Sequence, residues 1–260
     1  MVPPIAIVAH PSRSDMVTEL AALLPGVAIC WDNDGEGAEA THMKAWRWLA
    51  EHTDEPWGVV LEDDVILCDD FLYQLDQALD HAPKPIVSLY LGRGRPPNRQ
   101  EAISAVITRE VTWIVSPELL SAQGYAMRIE LFASGISPWC WRTGLPIDEA
   151  ITASVTTKQT LIYKESRRLG YGTPAVAYTN PSLVDHRDGP TIIEHWDGPR
   201  NGKTALMAED CDPSGADLDE VRKAWRFGPH TNWDRSTIRL EPHFTERDKH
   251  GHETSSAHGR

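Results

Sequence analysis

The sequence predicts an α/β fold, in which a mostly parallel sheet is flanked by helices on both faces. Short apolar runs alternate with segments of helical periodicity along the first part of the chain, the pattern of repeated strand–helix units. The chain has 260 residues, of which 41% are hydrophobic. This length allows one large domain or two small ones, with an ordinary globular composition.

The first two strand–helix units occupy the N-terminal fifth of the sequence. Residues 5–10 form a short apolar run before Pro11, which predicts a buried strand. Apolar residues then recur at helical spacing to residue 24, with Ser12 or Ser14 as a potential N-cap. A second strand over residues 27–31 opens into an acidic, glycine-containing loop, and a second helix follows over residues 38–53.

The third unit places acidic residues at the end of a strand. We expect one strand over residues 57–67 and a helix after it, with Asp69 or Asp70 as its cap. A fourth strand is predicted over residues 84–92. Because ligands bind beyond the carboxyl ends of the strands in such sheets, the ends of the second and third strands should form one acidic rim. The carboxylates expected there are Asp32, Asp34, Glu62, Asp63 and Asp64.

The second half of the chain continues with more loops. Residues 102–115 are predicted as one or two strands, followed by a helix that starts at Ser116-Pro117. A long shaped loop over residues 132–146 precedes a helix over 146–159, and a late strand with its loop lies within 174–189. We assign residues 1–198 to this domain and residues 199–260 to a polar C-terminal extension, partly helical and flexible at its end.

Composition excludes several classes of protein. The net charge of −13 argues against a general nucleic-acid coat. No apolar run reaches the length of a membrane span, and the N-terminus lacks the features of a signal peptide, so we expect a cytoplasmic protein. The four cysteines, which form no CxxC pair, are expected to be reduced thiols: Cys30, Cys68, Cys140 and Cys211.

The acidic triplet after the third strand is a candidate metal site. Side chains alternate along a strand, so Glu62 and Asp64 should share one face while Asp63 faces the other way. Two carboxylates suit Mg²⁺ or Mn²⁺, which usually takes its other ligands from water and substrate phosphates. A nucleotide diphosphate is therefore a natural partner. The alternative is a solvated turn with helix-capping aspartates, which is our interpretation of Asp69 and Asp70.

Three motifs resemble a known family of enzymes. The segment WGVVLEDDVIL, preceded by EATHMKAWRWLAEH, is similar to the glycosyltransferases related to family 25, which include the lipooligosaccharide and collagen galactosyltransferases. LPIDEAI and NPSLVDHRDGPTII resemble later segments of this family and of small phage-encoded or bacterial glycosyltransferases. The similarity spans about residues 3–195. It departs from the family at Thr41, where serine is usual, and in the opening AHPSRSD.

This resemblance implies a GT-A-like, Rossmann-like fold with a Glu-Asp-Asp version of the DxD motif. It further implies transfer of a sugar from a nucleotide-diphosphate sugar, preferentially a UDP-sugar, to an acceptor hydroxyl. A phage-encoded member would act in the host cytoplasm. Glu62, Asp64 and His186 are the implied ligands of Mn²⁺ or Mg²⁺, while Asp63 and His42 belong to the donor-binding residues.

The remaining site residues follow from their positions. Asp148 at a helix start is the first candidate for the general base of an inverting reaction, and Glu149 is the second. In a retaining enzyme Asp148 would position the acceptor. Arg13 is expected at the diphosphate, and Asp32 and Asp34 at the base and ribose.

The acceptor and the reaction class stay open at this point. The acceptor is a glycan, a protein, a lipid or modified DNA. The basic loop over residues 92–99 favours DNA if it shares one side with a second basic cluster, which consists of Lys158, Lys164, Arg167 and Arg168. The alternatives to a glycosyltransferase are a nucleotidyltransferase, whose usual glycine-rich first loop is missing, and a non-catalytic module that binds nucleotide sugars.

Overall fold

The fold was established from a computed structural model, which describes residues 2–93, 97–107, 111–132, 145–157, 160–187, 204–206 and 226–227. The strands are β1 Ile5–Ala9, β2 Ala28–Trp31, β3 Trp57–Glu62, β4 Val65–Leu67, β5 Ile86–Ser88, β6 Trp113–Ser116, β7 Gly124–Arg128, β8 Val176–Thr179, β9 Val184–His186 and β10 Arg226–Phe227. The helices are α1 Ser14–Ala22, α2 Ala38–His52, α3 Phe71–Asp80, α4 Pro97–Val106, the short α5 Ile129–Leu131, α6 Ile147–Thr156 and α7 Leu161–Arg168.

Eight of these strands form one sheet, in the order β10-β6-β8-β5-β7-β3-β1-β2. β1 pairs in parallel with β2 and β3, and β5 with β8. β7 lies antiparallel between β3 and β5, and β6 lies antiparallel between β8 and β10. Six of the eight strands therefore run in one direction. The predicted fold class, a mostly parallel sheet flanked by helices, is confirmed.

Side chains alternate along the strands, so each strand contributes apolar residues to both faces of the sheet. Helices pack on both faces and cover these residues. Ile5 and Ile7 of β1 belong to a core shared with α1 and α3. Ala6 and Val8 belong to the opposite core, which includes Trp46 of α2 and residues of α4, α6 and α7. The central strands are consequently buried on both sides, as the apolar runs in the sequence predict.

The predicted strand over residues 57–67 is in fact two strands joined by a turn. β3 ends at Glu62, and Asp63 and Asp64 form the turn. β4 then leaves the main sheet and pairs antiparallel with β9 in a separate two-stranded sheet. The amide of Arg187 donates to the carbonyl of Asp64 at 2.6 Å, which extends this small sheet up to the acidic turn.

Two further predicted elements are wrong. The segment 97–106 is the helix α4 instead of a loop and a strand. No helix starts at Ser116-Pro117, because side chains from other elements bind the backbone there. Thr152 Oγ1 of α6 accepts from the amide of Leu119 at 2.8 Å, and the Tyr178 hydroxyl of β8 accepts from the amide of Leu120 at 2.9 Å.

Of the predicted helix caps, the serine cap of α1 is wrong, whereas Asp70 is the N-cap residue of α3. α1 follows a short 3₁₀ turn over Pro11–Arg13, where the His10 side chain accepts from the amide of Ser12, and no serine side chain caps α1. Asp70 stands before α3 with φ at +52°, and its side chain makes no capping hydrogen bond. The left-handed backbone of Asp70 sets the direction of α3 without help from its carboxylate.

Parts of the chain beyond residue 198 contact the main domain. The amide of Leu206 donates to the carbonyl of Leu91, and the amide of Arg93 donates to the carbonyl of Thr204, both at 2.8 Å. β10 adds an edge strand beside β6. Most of the predicted extension, much of the long loop over 132–146, part of the basic loop and Lys158 lie outside the described residues. Cys30 and Cys68 are free thiols. Within the described ranges, no helix has the length and hydropathy to cross a bilayer.

Candidate active site

The acidic turn lies at the carboxyl end of β3, beside the carboxyl end of β1. These two strands pair in parallel, with Val8 opposite Glu62, so the segments that follow them meet at one rim of the sheet. β9 approaches from the side through the small sheet and places His186 opposite Val65. Topology thus brings Arg13, the acidic turn and His186 together, although they are far apart in the sequence.

Arg13 bridges the two aspartates of the turn. Its Nη1 atom lies 2.7 Å from Asp63 Oδ1 and 2.5 Å from Asp64 Oδ2. The amide of His10 donates to Asp63 Oδ2 at 2.7 Å. The prediction that Asp63 and Asp64 face opposite sides is wrong, because the strand alternation ends at Glu62 and both aspartates sit in the turn. Two buried carboxylates therefore share one guanidinium.

Burial and charge act against each other in this cluster. Burial raises the pKa of Asp63, and it outweighs the hydrogen bonds from His10 and Arg13, which lower that pKa. For Arg13, burial lowers the pKa. The negative charges of Asp64 and Asp63 and their hydrogen bonds raise it by more than burial lowers it, so the pKa of Arg13 is raised overall. Arg13 stays a cation, and the cluster retains excess negative charge when both aspartates are ionised.

His186 and Asp64 form a pair that suits a divalent cation. His186 Nε2 lies 3.2 Å from Asp64 Oδ2, and both side chains are buried. Adjacent ligands in an octahedral site with bonds of about 2.1 Å are roughly 3.0 Å apart. No group of three or more His, Cys, Asp or Glu arranged to hold a metal occurs in the part of the chain that the structure describes. The pair fits a metal whose remaining ligands are water and phosphate oxygens, as is usual for Mg²⁺.

Glu62 lies on the other side of the turn, close to α2. Its Oε1 atom lies 3.7 Å from Nε2 of His42. The His42 ring is buried, and its Nδ1 atom lies 2.8 Å from the hydroxyl of Tyr125, which also accepts from Trp46 Nε1 at 2.7 Å. His42, predicted among the donor-binding residues, contacts Glu62 and Tyr125 in the interior.

Asp148 and Glu149 lie in the first turn of α6 but in different surroundings. Burial raises the pKa of Asp148, and the negative charge of Glu62 raises it further, against a hydrogen bond from the amide of Glu149 that lowers it. Asp148 therefore lies near enough to Glu62 for the two negative charges to interact. Glu149 is exposed to solvent. Of the two predicted bases, Asp148 is the one in an environment typical of a catalytic acid or base.

Asp32 and Asp34 differ in the same way. Asp32 is buried, and its carboxylate accepts hydrogen bonds from the amides of Glu36 at 2.8 Å and Gly37 at 3.0 Å. Those bonds shape the loop that leads into α2. Asp34 is exposed in that loop. Of these two predicted residues, Asp34 is the one that presents a solvent-exposed carboxylate next to the carboxyl end of β2.

Two tyrosines at the site were missed from the sequence. Tyr125 joins His42 to Trp46, and nothing in its local sequence distinguishes it from an ordinary core tyrosine. Tyr90 follows β5, and its hydroxyl donates to the carbonyl of Thr204 at 3.2 Å. Burial raises the pKa of Tyr90 strongly, and the charges of Asp185, Asp64 and Glu62 add to the rise. Tyr90 therefore lies behind the acidic rim as a neutral phenol.

Comparisons with known proteins leave the family open. No protein-family model matches the chain, and no curated protein matches it. Among solved structures, the chain has a likeness to the galactosyltransferase LgtC in complex with donor and acceptor sugar analogues. The two share 12% sequence identity over 87% of this chain and 97% of that chain, with a TM-score of 0.37. A likeness at this level supports no conclusion about activity.

Proposed function

We propose that the protein is a metal-dependent glycosyltransferase that moves a sugar from a nucleotide-diphosphate sugar, preferentially a UDP-sugar, to an acceptor hydroxyl. One observation carries the proposal: the buried Asp63–Asp64 turn at the carboxyl end of β3, with Arg13 and His186 directed at it. This rim is where α/β sheets bind their ligands. The turn also contains the Glu-Asp-Asp motif on which the resemblance to the family 25 glycosyltransferases rests.

Asp64 and His186 are the proposed ligands of Mn²⁺ or Mg²⁺, and Glu62 is the third. Such a cation, when bound, supplies positive charge for the nucleotide diphosphate that leaves. Arg13 supplies a second, permanent positive charge at the same place, because its guanidinium already faces the two aspartates. The pairing of Asp63 with Arg13 supports a role in holding that guanidinium toward the diphosphate.

Asp148 is the proposed general base, with Glu149 as the second candidate. Its raised pKa and its proximity to the charge of Glu62 support a position beside the reacting sugar. In a retaining enzyme the same carboxylate orients the acceptor instead. Asp34 is proposed to contact the base or ribose, and Asp32 to shape the loop that carries Asp34.

The wider assignments remain part of this proposal. The acceptor is a glycan, a protein or modified DNA, and the enzyme is a family 25-like protein of the cytoplasm, which is the host cytoplasm if a phage encodes it. Residues 1–198 are its catalytic domain and 199–260 its C-terminal extension. A nucleotidyltransferase would use a similar rim, but it would release pyrophosphate, whereas a glycosyltransferase releases the nucleoside diphosphate.

The test is hydrolysis of UDP-sugars by the whole protein, with and without Mn²⁺. We expect Mn²⁺-dependent release of UDP by the wild type and background release by the Glu62→Ala/Asp64→Ala double variant. Glu51→Ala/Asp80→Ala removes two exposed carboxylates and serves as the matched control. Equal rates for the wild type and the Glu62/Asp64 variant would refute the proposal. Binding of UDP-sugar with no release at all would identify a non-catalytic module instead.

A further inference from the structure

A buried series of polar side chains leads from the core of the sheet to Glu62. The indole N–H of Trp46 donates to the hydroxyl of Tyr125 at 2.7 Å, and that hydroxyl lies 2.8 Å from His42 Nδ1. The rings of His42 and Tyr125 stack with centroids 5.8 Å apart. All three side chains are almost completely shielded from solvent. Buried polar groups of this kind are costly unless their partners are fixed, so the series holds a defined geometry.

The end of the series points at Glu62. His42 Nε2 has no hydrogen bond to any described residue, yet Glu62 Oε1 lies only 3.7 Å away. That separation is about 0.8 Å longer than a typical N–H···O bond. The side chain of Glu62 is 28% exposed, whereas His42 is locked in the core. The movable partner is therefore Glu62, and a small rotation of its carboxylate closes the hydrogen bond.

Electrostatics selects the tautomer of His42. A neutral imidazole carries its proton on one ring nitrogen only. If Nδ1 carried it, the lone pair of Nε2 would face the carboxylate of Glu62 inside the protein, which is repulsive. If Nε2 carries it, Nδ1 accepts from the Tyr125 hydroxyl, and an N–H group faces Glu62. The second arrangement satisfies both ends, and the Tyr125 oxygen remains available to the Trp46 indole.

We propose that His42 and Tyr125 are positioning residues that hold the Glu62 carboxylate for its ligand through the series Trp46–Tyr125–His42–Glu62. The backbone of Glu62 is already fixed, because its amide donates to the carbonyl of Gln123 at 2.8 Å. Closing the hydrogen bond from His42 Nε2 would fix the side chain as well. The role of Glu62 toward a cation rests on the proposed function, whereas the hydrogen-bonded series does not.

The first experiment examines the series in the ligand-free protein. Proton–nitrogen correlation spectra of the histidine rings, with His42 assigned by His42→Gln, should show a proton on Nε2 that faces Glu62. Glu62→Gln should shift the Nε2 resonance, and Tyr125→Phe should shift Nδ1. The proposal is overturned if the proton resides on Nδ1, or if Glu62→Gln leaves the His42 ring unchanged. Neither the position of the ring proton nor the response to Glu62→Gln depends on any enzymatic activity.

The second experiment asks whether the series acts through Glu62. Binding of Mn²⁺ alone is followed by electron paramagnetic resonance. Changes in residues behind a metal ligand typically weaken binding about 10- to 100-fold. We expect Tyr125→Phe to weaken Mn²⁺ binding about tenfold in the wild type but not further in a Glu62→Ala background. Equal losses in both backgrounds would show a merely structural role and overturn the proposal.

Two variants separate positioning from damage to the core. His42→Gln keeps an N–H donor that reaches toward Glu62, whereas His42→Leu keeps only bulk, so the glutamine variant should retain more of the Mn²⁺ affinity. Ser166→Ala removes another fully buried hydroxyl, which bonds the carbonyl of Gly172 at 3.1 Å, and it should leave that affinity unchanged. If Mn²⁺ does not bind the wild type, the proposed function fails, and the ring spectra still decide the series.

Discussion

Two arginine–carboxylate pairs in the molecule have the same contact distance but different surroundings. Arg13 Nη1 lies 2.5 Å from Asp64 Oδ2, and Arg168 Nη2 lies 2.5 Å from Glu165 Oε1. The first pair joins side chains that are 17% and 5% exposed, and the second joins side chains that are 62% and 18% exposed. Distance alone therefore does not distinguish the rim from the surface of α7.

The difference teaches that exposure decides what such a contact does. On α7, the Arg168 side chain is largely solvated, and a pair of this kind contributes little to stability. At the rim, Asp63 and Asp64 are buried away from water. Removal of the Arg13 guanidinium would leave both carboxylates without their arginine partner, which is costly for buried charges. The same contrast separates Asp148 from Glu149, and Asp32 from Asp34.

The largest effect is expected at Asp148. Asp148→Asn should lower the rate of sugar transfer about 10²- to 10⁴-fold, because general base catalysis typically contributes that much. Donor binding should be unchanged. The matched control is Glu149→Gln, which alters the exposed neighbour and should keep the rate within about twofold. Transfer assays with saturating donor measure both, and wild-type transfer by Asp148→Asn would remove Asp148 from this role.

The next effect is a loss of stability at the rim. Arg13→Met should lower the free energy of unfolding by about 3 kcal/mol, because breaking a buried pair leaves uncompensated charge. Arg168→Met on α7 should leave the Tm unchanged, since that side chain is solvated. Urea and thermal unfolding give the two values. Equal behaviour of both variants would show that the rim is solvated like the surface.

A smaller effect is expected in the pH dependence of stability. Burial and the charge of Glu62 raise the pKa of Asp148 in the folded protein. A raised pKa means that the contribution of Asp148 to stability is complete below its unfolded pKa and is lost as pH rises through the folded pKa. The asparagine side chain of Asp148→Asn does not titrate, so the stability of the variant does not fall through this ionisation as pH rises. The Tm of the variant relative to wild type should therefore be higher at neutral pH than near pH ~4, and a constant difference would contradict the assignment.

The smallest effect concerns salt on the exposed pair. The hydrogen bond from Arg168 lowers the pKa of Glu165. At an ionic strength of 1 M the screening length is only about 3 Å, so high salt should move this pKa back toward the ordinary value for glutamate. Carboxyl chemical shifts followed against pH give the measurement. Arg168→Met at low salt should raise the pKa of Glu165 in the same way. If neither high salt nor this substitution changes the pKa, Arg168 is not the cause of the lowered value.

Local pattern was sufficient for much of the architecture. Apolar runs and helical spacing identify β1, β3, α2 and α6, because burial on one or two faces leaves a period in the sequence. The same reasoning failed at Asp63 and Asp64. Residues 57–67 are two apolar runs separated by three acidic residues and are predicted as one strand, but β4 pairs with β9, which lies more than a hundred residues later, and that partner bends the chain.

Part of the candidate site could be predicted from the sequence for the same reason. Glu62, Asp64 and Asp148 stand next to readable strand or helix ends, so their neighbourhood follows from the topology of an α/β sheet. The bond between His42 and Tyr125 spans 83 positions. It depends on how α2 packs over β7, and no local pattern contains that information. The N-cap position of α3 at Asp70 was predicted, but Arg13 and not a serine occupies the N-cap of α1, and neither residue makes a side-chain capping hydrogen bond.

The contact between residues 204–206 and the strand end at Leu91–Arg93 has a consequence for the order of folding. Synthesis proceeds from the N-terminus, and domains fold as their residues emerge. The buried carboxylate of Asp185 accepts from the amide of Ala205 at 2.6 Å, beside His186 of the acidic rim. A nascent chain can assemble the strands up to β9 early, but it completes the support of its rim only after Ala205 has left the ribosome. A chain released before that point would have the strands up to β9 and the acidic turn, but it would lack the amide of Ala205 that donates to the neighbour of His186.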